Sequence, residues 1–165
     1  MIARRRKRLT ERKRQKFERV KKRKRGKLWK KDPNLKEQQA LLNSIPGVGE
    51  GTIAQVLAFI GDVSRFKNAK QLAAFVGLNP KQRVSGSSIR ARTSLSKIGS
   101  ASLRKAFYMP ALSAKRYNPV IHQFCARLTE RGKNGKAIIC AAMRKLIHII
   151  YGVLKSRQPF NPSLT

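Results

Sequence analysis

The first 31 residues cannot supply a hydrophobic core, and this fixes where the fold must lie. Between Met1 and Lys31 stand 18 Lys or Arg residues and two acids, Glu11 and Glu18. Apolar side chains there are sparse, chiefly Ile2, Leu9, Phe17, Val20, Leu28 and Trp29. Such a segment repels itself and buries too little surface to offset the entropy lost on ordering. It reads as a basic arm (residues 1–31), disordered alone or helical once phosphate neutralises it. Asp32-Pro33-Asn34 then punctuates the chain, and the composition turns globular. One domain is expected over residues 32–157, followed by a loose tail over 158–165 that carries Pro159 and Pro162.

The charge bounds the partner. Across 165 residues the formal net charge is +32, from 39 basic and 7 acidic side chains. A chain this basic calls for a polyanion, and nucleic acid is the usual one. A packing protein that only neutralises phosphate satisfies that condition as well as an enzyme does. The longest apolar run, Leu146 to Leu154, is interrupted by His148 and Gly152. It falls short of the roughly 18 residues of a membrane span, so no membrane partner is expected. The N-terminus has no apolar stretch or small-residue cleavage site of a secretory signal. Two cysteines make no disulfide framework, and the expected location is the cytoplasm of a bacterium or archaeon, at the nucleoid.

The spacing of apolar residues predicts a mainly α fold. A short helix runs from Leu35 to Asn43 with Leu35, Leu41 and Leu42 inward, and a second from about Glu50 to Ile60. A third begins after Asn68, a suitable N-cap, and ends at Val76 with Gly77 closing it. Residues 79–94 lack helical spacing and carry β-branched Val84, Ile89 and Thr93, as in a short β-hairpin or extended loop. Residues 100–157 read as a helical bundle. In it Leu103, Ala106, Phe107, Pro110, Ala111 and Ala114 form one helical face that Pro110 kinks. Pro119 opens the next helix, with Ile121, Phe124, Cys125 and Leu128 inward. After the turn Gly132-Lys133-Asn134-Gly135, a long apolar helix from Lys136 to about Lys155 completes the core.

Two segments carry chemistry. Around Ser44-Ile45-Pro46-Gly47-Val48-Gly49 the pattern over residues 35–60 fits a helix-hairpin-helix. Ile45 and Val48 would anchor the turn. The amides of Gly47, Gly49 and the following helix start would be left to bind a DNA phosphate without reading sequence. An ordinary Pro/Gly interhelical turn explains the same residues. The second segment, residues 79–99, is a serine loop. Seven serines lie between Ser85 and Ser102, and most suit turns or caps; Ser100 is a natural N-cap. Ser85 differs, because Gly86 follows it and Lys81, Arg83, Arg90 and Arg92 surround it. Arginines orient a phosphodiester and stabilise its transition state, but a serine hydroxyl needs a base, a lowered pKa or a metal to attack. On chemistry alone, gripping a phosphate and attacking one both remain open.

Metal chemistry lacks its ligands. The acids Glu11, Glu18, Asp32, Glu37, Glu50, Asp62 and Glu130 form no convergent set for a two-metal nuclease; Glu50 and Asp62 read as caps at opposite ends of one helix. His122 and Cys125 share a helix face, but Cys140 and His148 stand eight residues apart on another helix. That is roughly 12 Å along its axis, too far for one zinc ion. No Walker loop and no dinucleotide fingerprint is present.

Leu41-Leu42-Asn43-Ser44-Ile45-Pro46-Gly47-Val48-Gly49, then Phe75-Val76-Gly77-Leu78-Asn79-Pro80, then Ser85-Gly86-Ser87-Ser88, occur here in a fixed order. Leu95-Ser96-Lys97-Ile98-Gly99, Leu103-Arg104-Lys105-Ala106 and Tyr151-Gly152-Val153-Leu154-Lys155-Ser156 follow. In order and spacing this set resembles the C-terminal half of insertion-sequence-110 (also 116/902) transposases, over about Asp32 to Phe160. The resemblance implies a DNA recombinase that moves a mobile element with a structured guide RNA. It implies that Ser85, of the family's serine-glycine pair, attacks a DNA phosphate and becomes covalently linked to it. Phosphate contacts are expected from Gly47, Gly49, Arg83, Gly86, Arg90, Arg92 and Lys97. The family's resolvase-like N-terminal domain, which supplies the carboxylates for Mg2+, has no counterpart in this sequence, so no metal site or cofactor is expected within it. The resemblance therefore implies a truncated or internally deleted copy, unable to exchange strands alone, with Ala3 to Val20 as a remnant of the connecting helix. Homo-oligomers, or mixed oligomers with full-length transposase, are expected partners. The competing reading is a non-enzymatic basic DNA- or RNA-binding protein that regulates its full-length relatives.

Overall fold

In the computed structural model the described residues are 32–81, 84, 85, 89, 90, 94–96 and 98–164. The basic arm of residues 1–31 lies outside them. The chain divides into two compact units, residues 1–37 and 38–165. Of the first, residues 32–37 are described. There the Asn34 amide donates to Asp32 Oδ1 at 3.0 Å and the Lys36 amide to the Asp32 carbonyl at 3.1 Å. Asp32 thus acts as a helix N-cap with proline at the first helical position. The residues read as punctuation are the start signal itself, and helix α1 spans Pro33–Asn43, two residues earlier than expected.

The described part of the chain is mostly helical. Within the second unit, α1 buries Leu42, whereas Leu41 is only half-buried. The turn after it buries Ile45 and Val48, and α2 follows over Glu50–Phe59. A 3-10 turn over Val63–Arg65, without a sequence expectation, is capped by Asp62, whose carboxylate accepts from the Ser64 amide at 2.9 Å. Asp62 therefore serves the next turn and does not cap α2, where a carboxylate beside the helix C-terminus would be unfavourable. Helix α3 is Ala69–Val76, with the Asn68 side chain accepting from the Gln71 amide and Gly77 left-handed at φ +82°.

The expected single helix kinked at Pro110 is two helices, α4 over Ala101–Ala106 and α5 over Tyr108–Tyr117. The break falls at Phe107, not at the proline. A proline ring collides with the carbonyl four residues back, which is that of Ala106, and it has no N–H to bond there. Pro110 consequently sits in the first turn of α5, where a missing donor goes unfelt. Helix α6, Pro119–Glu130, is capped by fully buried Asn118, whose Oδ1 accepts from the Val120 and Ile121 amides.

Helix α7, Gly135–Ser156, is the centre of the packing. Its buried residues, from Ile138 to Leu154, sit almost wholly at steps of one and three, and it packs against α3, α5, α6 and the Val63–Arg65 turn. Each fully buried Leu or Ile contributes about 1.5–3 kcal/mol. The helix is long and apolar enough to cross a membrane by length and composition, yet its buried residues line one broad face, against which three other helices pack. The segment from Gln158, read as a loose tail, contacts the turn after α1. The Phe160 amide donates to Ser44 Oγ at 2.8 Å, and a 3-10 turn follows over Pro162–Leu164.

Candidate functional site

The serine loop springs from the C-terminus of α3 and returns at the start of α4. At its outgoing end the Gly77 and Leu78 amides turn back onto the Ala73 carbonyl, a closure that needs the left-handed glycine. Four short strands follow as two antiparallel pairs. The outer pair joins β1 (Pro80–Lys81) to β4 (Ser94–Leu95), with Pro80 opposite Leu95 and Lys81 opposite Ser94. The inner pair joins β2 (Val84–Ser85) to β3 (Ile89–Arg90), with Ser85 opposite Ile89 and Val84 opposite Arg90. The backbone thus brings Ser85 and Arg90 onto one two-stranded segment, in adjacent rungs. Arg83, Gly86, Arg92 and Lys97 lie outside the described residues.

The base of this loop is tightly built. The Ser96 amide donates to the Asn79 carbonyl and the Ser100 amide to the Phe75 carbonyl, each at 2.9 Å. Gly99, at φ +124°, lets the returning chain lie on the end of α3. A Cβ there would stand 2.6 Å from the Gly77 nitrogen and 2.7 Å from the Ala74 and Phe75 carbonyl oxygens. Ser100 caps α4, accepting from the Leu103 amide at 3.3 Å. Two arginines without an assigned role reach the same place from different helices. Arg104 on α4 donates to the Gly77 carbonyl at 3.4 Å. Arg144 on α7 donates to the Leu78 carbonyl at 3.3 Å and to Asn79 Oδ1 at 2.9 Å. The only sequence signal for them is that Asn79 and Arg104 fall within the ordered motifs.

Arg144 belongs to a polar stripe on α7. Arg144, His148 and Tyr151 are spaced i, i+4, i+7, which places them on one face. Tyr151 donates to the Phe66 carbonyl at 3.0 Å, just before α3, while Arg144 binds just beyond its end. His148 lies between, with Nε2 buried and without a hydrogen-bond partner. Burial lowers its pKa from 6.5, and the charges of Arg144, Lys145 and Lys70 lower it further.

The two hairpin glycines have different surroundings. Gly47, at φ +94°, leaves room for α5: a Cβ would stand 2.5 Å from the Ala114 backbone. This glycine is required for packing. Gly49 has φ −91° and an open surrounding, and it is the N-cap of α2 without any side-chain cap bond. Among the described residues no side chain bonds the first amides of this helix.

Other candidate chemistry does not assemble. Among the described residues no three or more His, Cys, Asp or Glu gather in a group that could hold a metal ion. Asp62 is committed to Ser64, whose hydrogen bonds lower its pKa. These residues supply no donor set for Mg2+. Cys125 is buried and Cys140 half-buried, neither in a disulfide, and burial raises both thiol pKa values. Burial of this kind disfavours the reactive thiolate form.

Residues 39–126, which include the hairpin and the whole serine loop, match the family described as Transposase IS116/IS110/IS902 family. The chain is 42% identical over 131 residues to a pilin gene-inverting protein of Moraxella bovis, covering 78% of this chain and 40% of that protein. It is 43% identical over 63 residues to the transposase for insertion sequence element IS1111A of Coxiella burnetii, covering 38% and 17% respectively. It is 30% identical over 115 residues to an insertion element IS110 43.6 kDa protein of Streptomyces coelicolor, covering 70% and 28%. The chain thus spans about two-fifths of the length of the first of these relatives. With a match over more than half its residues, centred on the loop that bears Ser85, the chain belongs to the IS116/IS110/IS902 transposase family.

Proposed function

We propose that this chain is a DNA-binding recombination module of a guide-RNA-dependent transposase, with Ser85 as the nucleophile. In the strand-cleaving step the Ser85 oxygen bonds to a DNA phosphorus while the bond from that phosphorus to a sugar oxygen breaks. The serine proton passes to a base outside the described residues, and the departing sugar hydroxyl takes up a proton. One phosphodiester is exchanged for another, so the bond energy is conserved for rejoining. Arg90, in the rung beside Ser85, with Arg83, Arg92 and Lys97, contacts the phosphate, and Gly86 allows its close approach. The α2 start at Gly49, where a helix-hairpin-helix turn enters its second helix, binds a second phosphate. Gly47 shapes that turn.

The observation that carries this reading is the family match running through the serine loop, together with 42% identity to a protein named for inverting a gene segment. Among the described residues the acids form no metal-holding group, so in this reading the carboxylates and their Mg2+ come from outside those residues. The same observation supports a second reading, a non-enzymatic regulator that binds nucleic acid in mixed oligomers. Labelled element-end DNA incubated with the chain, with and without a full-length relative and guide RNA, separates the two. A covalent protein–DNA adduct that disappears in Ser85→Ala is expected; no adduct in any mixture overturns the recombinase reading and leaves the regulator.

A further inference from the structure

We infer that Arg104 and Arg144 are positioning residues that hold the root of the serine loop in the geometry Ser85 needs, an inference that rests on Ser85 being the nucleophile. Three independent features converge on Gly77-Leu78-Asn79. Arg104 reaches the Gly77 carbonyl from α4. Arg144 reaches Leu78 and Asn79 from α7, one guanidinium nitrogen serving both oxygens. The returning strand closes on the same residues through Ser96 and Gly99.

The chemistry of the contacts explains why cations stand here. The carbonyls of Gly77 and Leu78 lie just past the C-terminal end of α3, where the helix dipole is negative. Two guanidinium groups meet those carbonyls, and charge-assisted bonds are stronger than neutral ones. Among the described residues neither arginine forms an ion pair with a carboxylate, so each is committed to backbone and amide oxygens. Arg144 is itself held by its helix: Tyr151, two turns along the same face, ties α7 to Phe66 at the other end of α3. Asn79 adjoins the outer strand pair and Ser85 lies on the inner pair of the same loop, so the root sets where the segment bearing the nucleophile begins. Misplacement of reacting groups by about 1 Å costs on the order of 10²-fold in rate.

The experiment compares Arg144→Met, which keeps the aliphatic stem, with Arg144→Lys, which restores a cationic donor, and with Asn79→Ala, which removes the acceptor. Adduct formation with element-end DNA, in the mixture in which the unaltered chain reacts, is measured beside DNA affinity and amide hydrogen exchange. Arg144→Met and Asn79→Ala should each slow adduct formation about 10–100-fold, with DNA affinity nearly constant. The double variant should be no slower than either alone, and Arg144→Lys should recover part of the rate. Arg104→Met should also slow the reaction. Exchange at the Ser96 amide should quicken in Arg144→Met while the Ile147 and Ile150 amides stay protected, which separates loosening of the root from unfolding. Unchanged Ser96 exchange, or equal loss of DNA affinity and rate, overturns the positioning role. No adduct from the unaltered chain overturns the Ser85 reading, and with it this inference, even where the Ser96 result holds.

Discussion

Gly47 and Gly49 stand two residues apart and do different work. Gly47 combines a positive φ with backbone contact from Ala114, so an added methyl group is both strained and obstructed. Gly47→Ala should lower stability by about 2–5 kcal/mol, whereas Gly49→Ala should cost only about 0.5–1 kcal/mol as a poorer N-cap. Denaturant unfolding of the two variants checks this, and equal losses would contradict it. His148 offers a second residue-scale test. Its folded pKa lies below the unfolded value of 6.5, because burial and the neighbouring Arg144, Lys145 and Lys70 disfavour the charged ring. The unfolded chain therefore binds the proton more readily, and stability falls as pH drops through 6.5 towards the folded value. His148→Met should show a smaller loss than the unaltered chain between about pH 7.5 and 5. Parallel curves would show that His148 titrates alike in both states.

At the scale of elements, α7 governs stability. Ile150 has no exposed surface, while Lys155 is exposed near the end of the same helix. Ile150→Ala should cost about 2–5 kcal/mol and Lys155→Ala within about 0.5 kcal/mol, measured by thermal or denaturant unfolding. Comparable effects would contradict the central place of α7. Elements with strong local signals were legible in the sequence: Asn68 and Gly77 bracket α3, and Pro119 opens α6. The division at Phe107 was less legible, because proline acts on a carbonyl one turn earlier than its own position. Asp62 was misjudged because a carboxylate cap looks the same at either side of a short connection. The contacts of Arg104 and Arg144 were not legible beyond the place of Asn79 and Arg104 in the ordered motifs. Arg104 and Arg144 lie 27 and 65 residues from Gly77 and Asn79, and only the packing of α3, α4 and α7 brings them there.

For the whole molecule, charge and site are divided along the chain. The first 31 residues hold 18 of the 39 basic side chains, while the family match begins at residue 39. If the arm supplies phosphate contacts, each releases counterions, and affinity for DNA depends steeply on salt. Removing residues 1–31 should flatten the slope of log affinity against log salt; an unchanged slope would show that the arm does not touch nucleic acid. In the proposed function the loop supplies what the arm cannot, a defined placement of the Ser85 hydroxyl against one phosphate. Trypsin cleaving after Arg83 and Arg90 releases Val84-Ser85-Gly86-Ser87-Ser88-Ile89-Arg90 from a trapped, nuclease-trimmed adduct. Fragmentation of that peptide by mass spectrometry should place the nucleotide on Ser85; a nucleotide on Ser87 or Ser88, or on another peptide altogether, would contradict the assignment.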